Sequence, residues 1–153
     1  MDCRCRHLIV FARAPRYGAV KTRLAHTIGA ATARQFYETT LVRTLRVLGS
    51  DSRWQCWLAI TPDHSLLQAS GIQSWKTMCQ GPGDLAARMR RALLQPRRGP
   101  VVLIGSDIPG LKPPQIERAF RALHNHDLVF GPSTDGGFWL VGARRGPASP
   151  CRY

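Results

Sequence analysis

The amino-acid sequence predicts an α/β protein with three layers, in which helices cover both faces of a mostly parallel β-sheet. Short apolar runs typical of buried strands alternate with segments of helical periodicity along nearly the whole chain. This alternation implies βαβ crossovers, which make neighbouring strands parallel. With 153 residues, 44% of them hydrophobic, the chain is long enough for one domain with its own core. We expect a single domain over residues 1–153, with an ordered core at 7–143 and a loose tail at 144–153.

The first half of the chain is predicted to hold three strands and two helices. Runs of apolar residues, or of residues that favour strands, indicate strands at residues 7–12 and 54–60. A weaker pattern indicates a third strand at residues 72–80. Apolar residues recur at helical spacing over residues 30–48, and Gly49 supplies a stop. Pro62 is placed to begin a short helix, because proline is tolerated in a first turn.

The second half is predicted to hold three strands and two helices. Asp84 is suited to cap a helix over about residues 85–93, and a second helix begins at Pro113. The strands are predicted at residues 101–104, 127–131 and 138–142. The last two strands resemble a hairpin because a glycine-rich turn joins them, so one strand is expected to run antiparallel.

Three loops that follow predicted strands should meet at one edge of the sheet, where open α/β sheets bind their ligands. They are residues 13–24, 105–110 and 131–137. The first loop carries four basic side chains and no acid: Arg13, Arg16, Lys21 and Arg23. Arginine grips phosphate oxygens with two donors and lysine acts as a point charge, so this loop is predicted to hold the phosphates of a nucleotide. A solvated basic loop is the alternative.

Asp107 follows the predicted strand 101–104 directly and complements the basic loop. A carboxylate at this place is suited to hold Mg²⁺ or Mn²⁺, hard ions that prefer oxygen ligands and often bridge to substrate phosphates. The alternative is that Asp107 caps the helix that follows. Asp135 stands in the sequence Asp135-Gly136-Gly137, where the backbone can approach a ligand closely. A hairpin turn explains this second aspartate equally well.

The chain lacks the signatures of several other classes. Lys21-Thr22 is not the phosphate loop of an ATPase, because Val20 precedes the lysine and Gly18 is misplaced. The three spaced glycines of an NAD-binding enzyme are missing after the first strand. Five irregularly spaced cysteines match neither a zinc site nor a disulfide framework, so we expect reduced thiols in the cytoplasm. The sequence shows no signal peptide and no apolar run near the about 18 residues of a membrane span.

The formal net charge of +13 would suit binding to nucleic acid or another polyanion. The basic residues are mostly arginines scattered along the whole chain, which does not indicate one dedicated binding face. A basic nucleic-acid-binding domain is therefore kept as an alternative and not as the main prediction.

Four motifs stand in order along the chain. They are Pro15-x-x-Gly18-x-x-Lys21-Thr22-Arg23-Leu24, Gly83-Asp84-Leu85 followed by Arg88-Met89, Gly105-Ser106-Asp107-x-Pro109-x-Leu111, and Asp135-Gly136-Gly137. In this combination the chain resembles, from about Leu8 to Gly142, an uncharacterised bacterial family of glycosyltransferase-A-like (GT-A-like) proteins. Its members are commonly labelled glycosyltransferases and are similar to the guanylyltransferases of molybdopterin and phospholactate cofactor synthesis.

The resemblance implies the nucleotide-diphospho-sugar transferase fold and metal-dependent transfer of a glycosyl or nucleotidyl group. The substrates would be a nucleotide or nucleotide-sugar and a small-molecule acceptor, with Mg²⁺ or Mn²⁺ as cofactor. The implied nucleotide-binding residues are Arg13, Gly18, Lys21, Thr22, Arg23, Asp84 and Arg88. Asp107 would hold the metal and act in catalysis together with Asp135, and Gly136 and Gly137 would contact the acceptor.

The chain departs from this family in length. Family members continue for some tens of residues beyond the Asp135-Gly136-Gly137 motif, with another helix and a second acidic motif. A truncated, catalytically inactive family member is therefore a further alternative. The sequence does not indicate the base, the sugar, the acceptor or the oligomeric state.

Overall fold

A computed structural model describes residues 6–16, 21–63, 65 and 72–144, with the exception of the Thr22 side chain. In these ranges ten helices and strands follow one another. They are β1 His7–Arg13, α1 Thr22–Ile28, α2 Ala30–Gly49, β2 Gln55–Thr61, β3 Lys76–Cys79, α3 Leu85–Leu94, β4 Val101–Gly105, α4 Pro113–Ala122, β5 Leu128–Pro132 and β6 Phe138–Ala143.

The strands form a six-stranded sheet in the order β3-β2-β1-β4-β6-β5. The central strand β1 is parallel to β2 and β4, and β2 is parallel to β3. Strand β6 is antiparallel to both of its neighbours, β4 and β5. The predicted fold class is confirmed, including the single antiparallel strand expected at the final hairpin.

Alternating residues of the strands face two separate apolar layers, as the two-residue period of a strand requires. On one face, helices α2 and α4 pack on the sheet, with Leu41 of α2 and Phe120 of α4 fully buried against β1 residues such as Val10. On the other face, α3 packs through Ala92 against a smaller cluster that includes Ile9. The helices thus cover the sheet from both sides.

The α3 face of the sheet also carries an open apolar groove of about 640 Å³ between α3 and β6. Leu85, Met89 and Val141 are among the residues that line it. Phe138 stands at one end of the groove and packs edge to face on Phe130, with ring centroids 5.4 Å apart. Both rings are about half exposed, so the described part of the chain leaves this stretch of the face open to solvent.

Three parts of the chain differ from the sequence prediction or lie outside the described residues. Residues 22–28 form the helix α1, whereas the sequence pattern predicts a loop over residues 13–24 and no helix before residue 30. The missed helix is short, and its apolar residues are too few to produce a helical stripe. The short helix predicted from Pro62 falls largely outside the described residues, as does the predicted tail at 144–153, of which the structure describes Arg144 alone.

None of the described helices combines the length and the apolar character that crossing a membrane would require.

Candidate functional site

The candidate site lies at the edge of the sheet where the parallel strands end. Strands β1, β2, β3 and β4 all finish at this edge. The turn between β5 and β6 reaches it too, because Ile104 near the end of β4 pairs with Leu140 near the start of β6. The described parts of the three loops expected to meet therefore leave the sheet on the same side.

The first loop and the loop after β4 are joined by an ion pair. The Lys21 ammonium Nζ donates to Oδ2 of Asp107. The Lys21 side chain is 25% exposed and the Asp107 side chain 51% exposed, so the carboxylate remains open to solvent and to ligands. An ion pair this exposed contributes at most about 1 kcal/mol to stability, so it can exchange partners at little cost.

Lys21 has an unusual backbone conformation. Among the residues that the structure describes, it is the one non-glycine residue with positive φ, at 50°, immediately before helix α1. For a residue with a Cβ this left-handed conformation costs about 1–2 kcal/mol. Residues held in such conformations cluster at functional sites, where the surrounding structure imposes them. The geometry that brings Lys21 to Asp107 is thus maintained against a local energetic cost.

Tyr37 of helix α2 fixes the two strand ends that carry these loops. Its hydroxyl oxygen accepts a hydrogen bond from the Arg13 backbone N–H at 3.0 Å and donates to the Arg13 carbonyl at 2.8 Å. With its donor committed to Arg13, the hydroxyl accepts from Ser106 Oγ at 3.2 Å. Ser106 precedes Asp107, so this buried tyrosine holds the end of β1 and the start of the Asp107 loop in register.

The aspartates at this edge differ in what they bind. Asp63, Asp84 and Asp135 each accept a hydrogen bond from a backbone N–H. Asp84 caps helix α3 by accepting from Ala87 N at 2.8 Å, as the sequence predicts for a residue before a helix. Asp107 is instead paired with the side chain of Lys21. In the described structure, its carboxylate neither stabilises a turn nor caps a helix. Helix α4 begins only at Pro113 with Lys112 as its N-cap, which removes the cap alternative for Asp107.

Asp135 has the contacts of a turn residue. Its Oδ1 accepts from the Ser133 hydroxyl and from the Gly137 N–H, the latter at 3.0 Å. The Ser133 hydroxyl and the Gly137 N–H lower the pKa of the Asp135 carboxyl. Gly136 has φ of 86°, which a residue with a side chain adopts only with strain. The hairpin alternative therefore explains Oδ1 of Asp135, while Oδ2 accepts neither of these two bonds.

On the β3 side of the edge, Arg88 of helix α3 lies half-buried beside its cap residue. Its Nε contacts the Asp84 carbonyl at 3.4 Å, and its Nη1 donates to Oε1 of Gln80 at 2.9 Å. Gln80 is 2% exposed and donates through Nε2 to Ala12 O and Ala59 O. This buried amide connects the ends of β1 and β2 to Arg88.

The remaining predicted residues are placed as follows. The side chains of Arg13 and Arg23 are exposed at this edge, Arg13 at the end of β1 and Arg23 in the first turn of α1. Thr22 is the first residue of α1, but its side chain and the whole of Gly18 lie outside the described residues. Gly136 and Gly137 form the tip of the hairpin turn.

Two residues of this site, Tyr37 and Gln80, could not be assigned to it from the sequence. Tyr37 belongs there to the apolar stripe of a predicted helix, and Gln80 stands at the end of a weakly patterned strand. Neither residue belongs to a motif with a known spacing, so only the three-dimensional contacts show that they connect the loops. The position of an amide side chain directly before Gly81-Pro82-Gly83 is the one signal that the sequence offers for Gln80.

The donor set fits a divalent cation held mainly by a bound nucleotide. The described residues contain no group of three or more His, Cys, Asp or Glu side chains that could hold a metal ion by themselves. Mg²⁺ is usually held by one or two carboxylates together with substrate phosphates and water. The accessible carboxylate of Asp107, with the Lys21 ammonium beside it, is compatible with that mode.

The α/β fold with its mostly parallel six-stranded sheet is of the nucleotide-diphospho-sugar transferase class. The chain matches the crystal structure of a putative nucleotide-diphospho-sugar transferase from Desulfovibrio desulfuricans G20 with a TM-score of 0.80 and 27% sequence identity. The match covers 91% of this chain and 63% of that chain, so this chain spans less than two thirds of the length of that protein.

Residues 44–151 match the model of a family described as "Uncharacterized protein conserved in bacteria (DUF2064)", and the chain belongs to this family. The matched range contains Asp84, Arg88, Asp107 and Asp135, whereas the basic first loop precedes it. No curated protein matches the chain.

Proposed function

We propose that this protein is a transferase that binds a nucleotide or nucleotide-sugar together with Mg²⁺ or Mn²⁺ and transfers a glycosyl or nucleotidyl group to a small-molecule acceptor. The observation that carries the proposal is the exposed ion pair between Lys21 and Asp107 at the carboxyl edge of a parallel sheet. The similarity to a protein described as a nucleotide-diphospho-sugar transferase supports the same reaction class.

The ion pair is suited to separate when a nucleotide binds. Lys21 would leave Asp107 for a phosphate oxygen, which is a natural partner for a lysine ammonium. Asp107 would then be free to hold a divalent cation shared with the same phosphates. Both side chains would thus keep a partner of opposite charge, and the exposure of the pair keeps the cost of separation small.

Both reaction routes place negative charge at the same position. In glycosyl transfer, an acceptor oxygen attacks the sugar C1 and the nucleoside diphosphate leaves. In nucleotidyl transfer, a phosphate oxygen of the acceptor attacks the α-phosphorus and pyrophosphate leaves. Lys21 and Arg23 would stabilise the charge that develops on the leaving phosphate, and a bound divalent cation supplies further neutralisation there.

The other predicted residues have supporting roles in this proposal. Arg88 supplies a cation from the β3 side of the edge, and Asp84 orders the start of α3 below it. Arg13 is exposed at the end of β1, and we assign it to a further contact with a phosphate. Asp135 would use Oδ2 toward the metal or acceptor, because Oδ1 is bound within the turn. Gly136 and Gly137 leave room for an acceptor near that turn.

Calorimetric titration of the full chain with nucleoside di- and triphosphates, each with and without Mg²⁺ or Mn²⁺, tests the proposal. We expect binding that is much stronger with metal than without. Lys21→Ala should weaken it about ten-fold or more, since charge-assisted contacts to phosphate are among the strong hydrogen bonds. Absence of binding to every nucleotide in a folded sample would exclude the proposed function.

The matched control is Arg43→Ala. Arg43 is an exposed cation near the end of α2. The chain passes from there to the start of β2, so Arg43 lies away from the carboxyl edge of the sheet. Arg43→Ala removes the same charge as Lys21→Ala, so equal effects of both variants would show a general charge effect and not a site.

A further inference from the structure

Gln80 lies almost completely inside the protein and uses its side-chain amide fully. It follows strand β3, and its amide reaches across the end of β2 to β1. The Nε2 group donates to Ala59 O at 2.8 Å and to Ala12 O at 3.0 Å. A carboxamide nitrogen carries two hydrogens, so both of its donors are committed to backbone carbonyls.

These two bonds determine the direction of the amide oxygen. Ala12 O and Ala59 O are acceptors only, so the nitrogen must face them and Oε1 must face the opposite side. There Oε1 accepts from Nη1 of Arg88 at 2.9 Å. The two strand ends therefore hold the amide, and the amide holds one nitrogen of the Arg88 guanidinium.

The loop that carries Gln80 is fixed separately by Arg91. Its Nη1 donates to the Gln80 carbonyl at 2.5 Å and its Nη2 to the Pro82 carbonyl at 3.0 Å. Gly81, at φ of 75°, lets this guanidinium approach, because a Cβ there would lie 2.5 Å from Arg91 Nη1. Arg91 is thus bonded to backbone carbonyls and stabilises the loop, while Nη1 of Arg88 is bonded to a buried side chain that is itself held by two hydrogen bonds.

Arg88 retains donors after these contacts. A guanidinium has five N–H groups, and in the described residues Nη2 of Arg88 takes part in neither the contact to Gln80 nor the contact to Asp84. A fixed guanidinium loses less entropy on binding an anion than a freely rotating one does. Arg88 therefore has the geometry of a prepared anion-binding group.

We propose that Gln80 is a positioning residue that holds the Arg88 guanidinium over the ends of β1 and β2, ready to bind an anionic group of the nucleotide. This inference rests on the proposed function. It deepens that function by assigning the phosphate contact on the β3 side of the site to Arg88. Gln80 does not contact the ligand and acts by holding Arg88.

A double-mutant cycle in the full chain tests the pair. The variants are Gln80→Met, Arg88→Met and both together, and the probes are ATP, GTP, CTP and UTP, each with Mg²⁺. If Gln80 acts through Arg88, Gln80→Met lowers nucleotide affinity about ten-fold in the presence of Arg88 and less than about two-fold in the Arg88→Met background, since coupled residues are not additive. Arg90→Met is the matched control, because Arg90 is an exposed arginine of the same helix that lines the apolar groove, and its effect should add to that of Gln80→Met when nucleotide affinity is measured.

A merely structural role of Gln80 gives a different result. Gln80→Met would then lower affinity by the same factor with and without Arg88, which overturns this inference while the proposed function stands if Lys21→Ala still weakens binding. Failure of the wild type to bind any nucleoside di- or triphosphate with either Mg²⁺ or Mn²⁺ overturns both. Should Gln80→Met fail to fold, the variant Arg88→Lys tests the inference instead. A positioned guanidinium predicts a loss of about ten-fold in nucleotide affinity, whereas unchanged affinity would show that charge alone suffices and would overturn the inference.

Discussion

The ammonium group of Lys21 is bonded to the carboxylate of Asp107, although 86 residues separate the two in the chain. The contact joins the loop after β1 to the loop after β4, and these strands are neighbours in the sheet. Both partners are accessible to ligands, and the remaining described aspartates of this edge are bonded to backbone N–H groups. The pair is therefore the centre of the proposed site.

Replacement of Lys21 by alanine and by glycine separates the effect of its ammonium group from the effect of its strained backbone conformation. Both variants lose the ammonium group and should lose nucleotide affinity equally. Glycine adopts φ of 50° freely, whereas alanine retains the strain of this conformation. Lys21→Gly should therefore be more stable than Lys21→Ala by about 1 kcal/mol. Urea denaturation measures the difference, and equal midpoints would show that the left-handed conformation of Lys21 carries no strain.

Tyr37→Phe should loosen the connection between the two loops. The variant removes a buried hydroxyl that bonds both backbone groups of Arg13 and the side chain of Ser106. A loss of about 1–3 kcal/mol in unfolding free energy is expected from the unsatisfied groups left behind. Nucleotide affinity should fall as well, although Lys21 and Asp107 are intact. Affinity equal to that of the wild type would mean that Tyr37 supports the fold alone.

Glu117 offers a stability prediction at the opposite edge of the sheet. Its side chain is 12% exposed and is paired with Arg6 at 2.7 Å, Arg121 at 3.2 Å and Arg53 at 3.3 Å. Glu117→Ala leaves three cations without this partner and should cost about 2–3 kcal/mol, below the range for fully buried pairs because the arginines reach solvent.

Nucleotide affinity per folded molecule should be unchanged in Glu117→Ala, because Arg6 precedes β1 at its amino end, away from the site. Thermal denaturation and calorimetric titration measure the two properties separately. A variant as stable as the wild type would contradict the importance assigned to this network.

Cys56 should be chemically inert in the folded protein. Burial raises the pKa of its thiol to about 12, and the charge of Asp51 contributes in the same direction. Iodoacetamide reacts with thiolates, so at pH 8 it should modify the exposed Cys79 and leave Cys56 unmodified until urea unfolds the chain.

The same shift of the Cys56 pKa has a consequence for stability. Since the folded pKa lies above the unfolded value of about 9, the neutral thiol favours the folded state below pH 9, and this contribution is lost as pH rises towards 12.

Mass spectrometry of tryptic peptides detects which cysteines iodoacetamide has modified. Rapid labelling of Cys56 in the native state would contradict its burial.

The fold could be predicted from sequence because burial imposes clear patterns on strands. Continuous apolar runs such as Val101-Val102-Leu103-Ile104 are fully or almost fully buried in the structure, as a central parallel strand requires. Helix α1 could not be predicted, because its described side chains are exposed or partly exposed and form no apolar stripe at helical spacing.

The candidate site could be predicted only in part. The order of the strands brings the loop of Lys21 to Asp107, and the rule that ligands bind at strand ends was enough to anticipate this meeting. Gln80 could not be assigned in this way, because its role depends on the exact direction of an amide between two carbonyls and one guanidinium. For Asp135, turn and ligand roles share the same sequence pattern, and only its contacts distinguish the two oxygens.

Binding of Mn²⁺ in the presence of nucleotide tests the central claim most directly, through electron paramagnetic resonance of the wild type and of Asp107→Asn. This exposed substitution should change stability by no more than about 1 kcal/mol. With the wild type we predict a protein–Mn²⁺–nucleotide complex that binds Mn²⁺ tighter than free nucleotide does, and with Asp107→Asn a loss of about ten-fold or more in this affinity. The nucleic-acid-binding alternative predicts polyanion affinity that falls steeply with salt and is indifferent to Asp107. Equal Mn²⁺ affinity of the two proteins would contradict the assignment of Asp107 as the metal ligand.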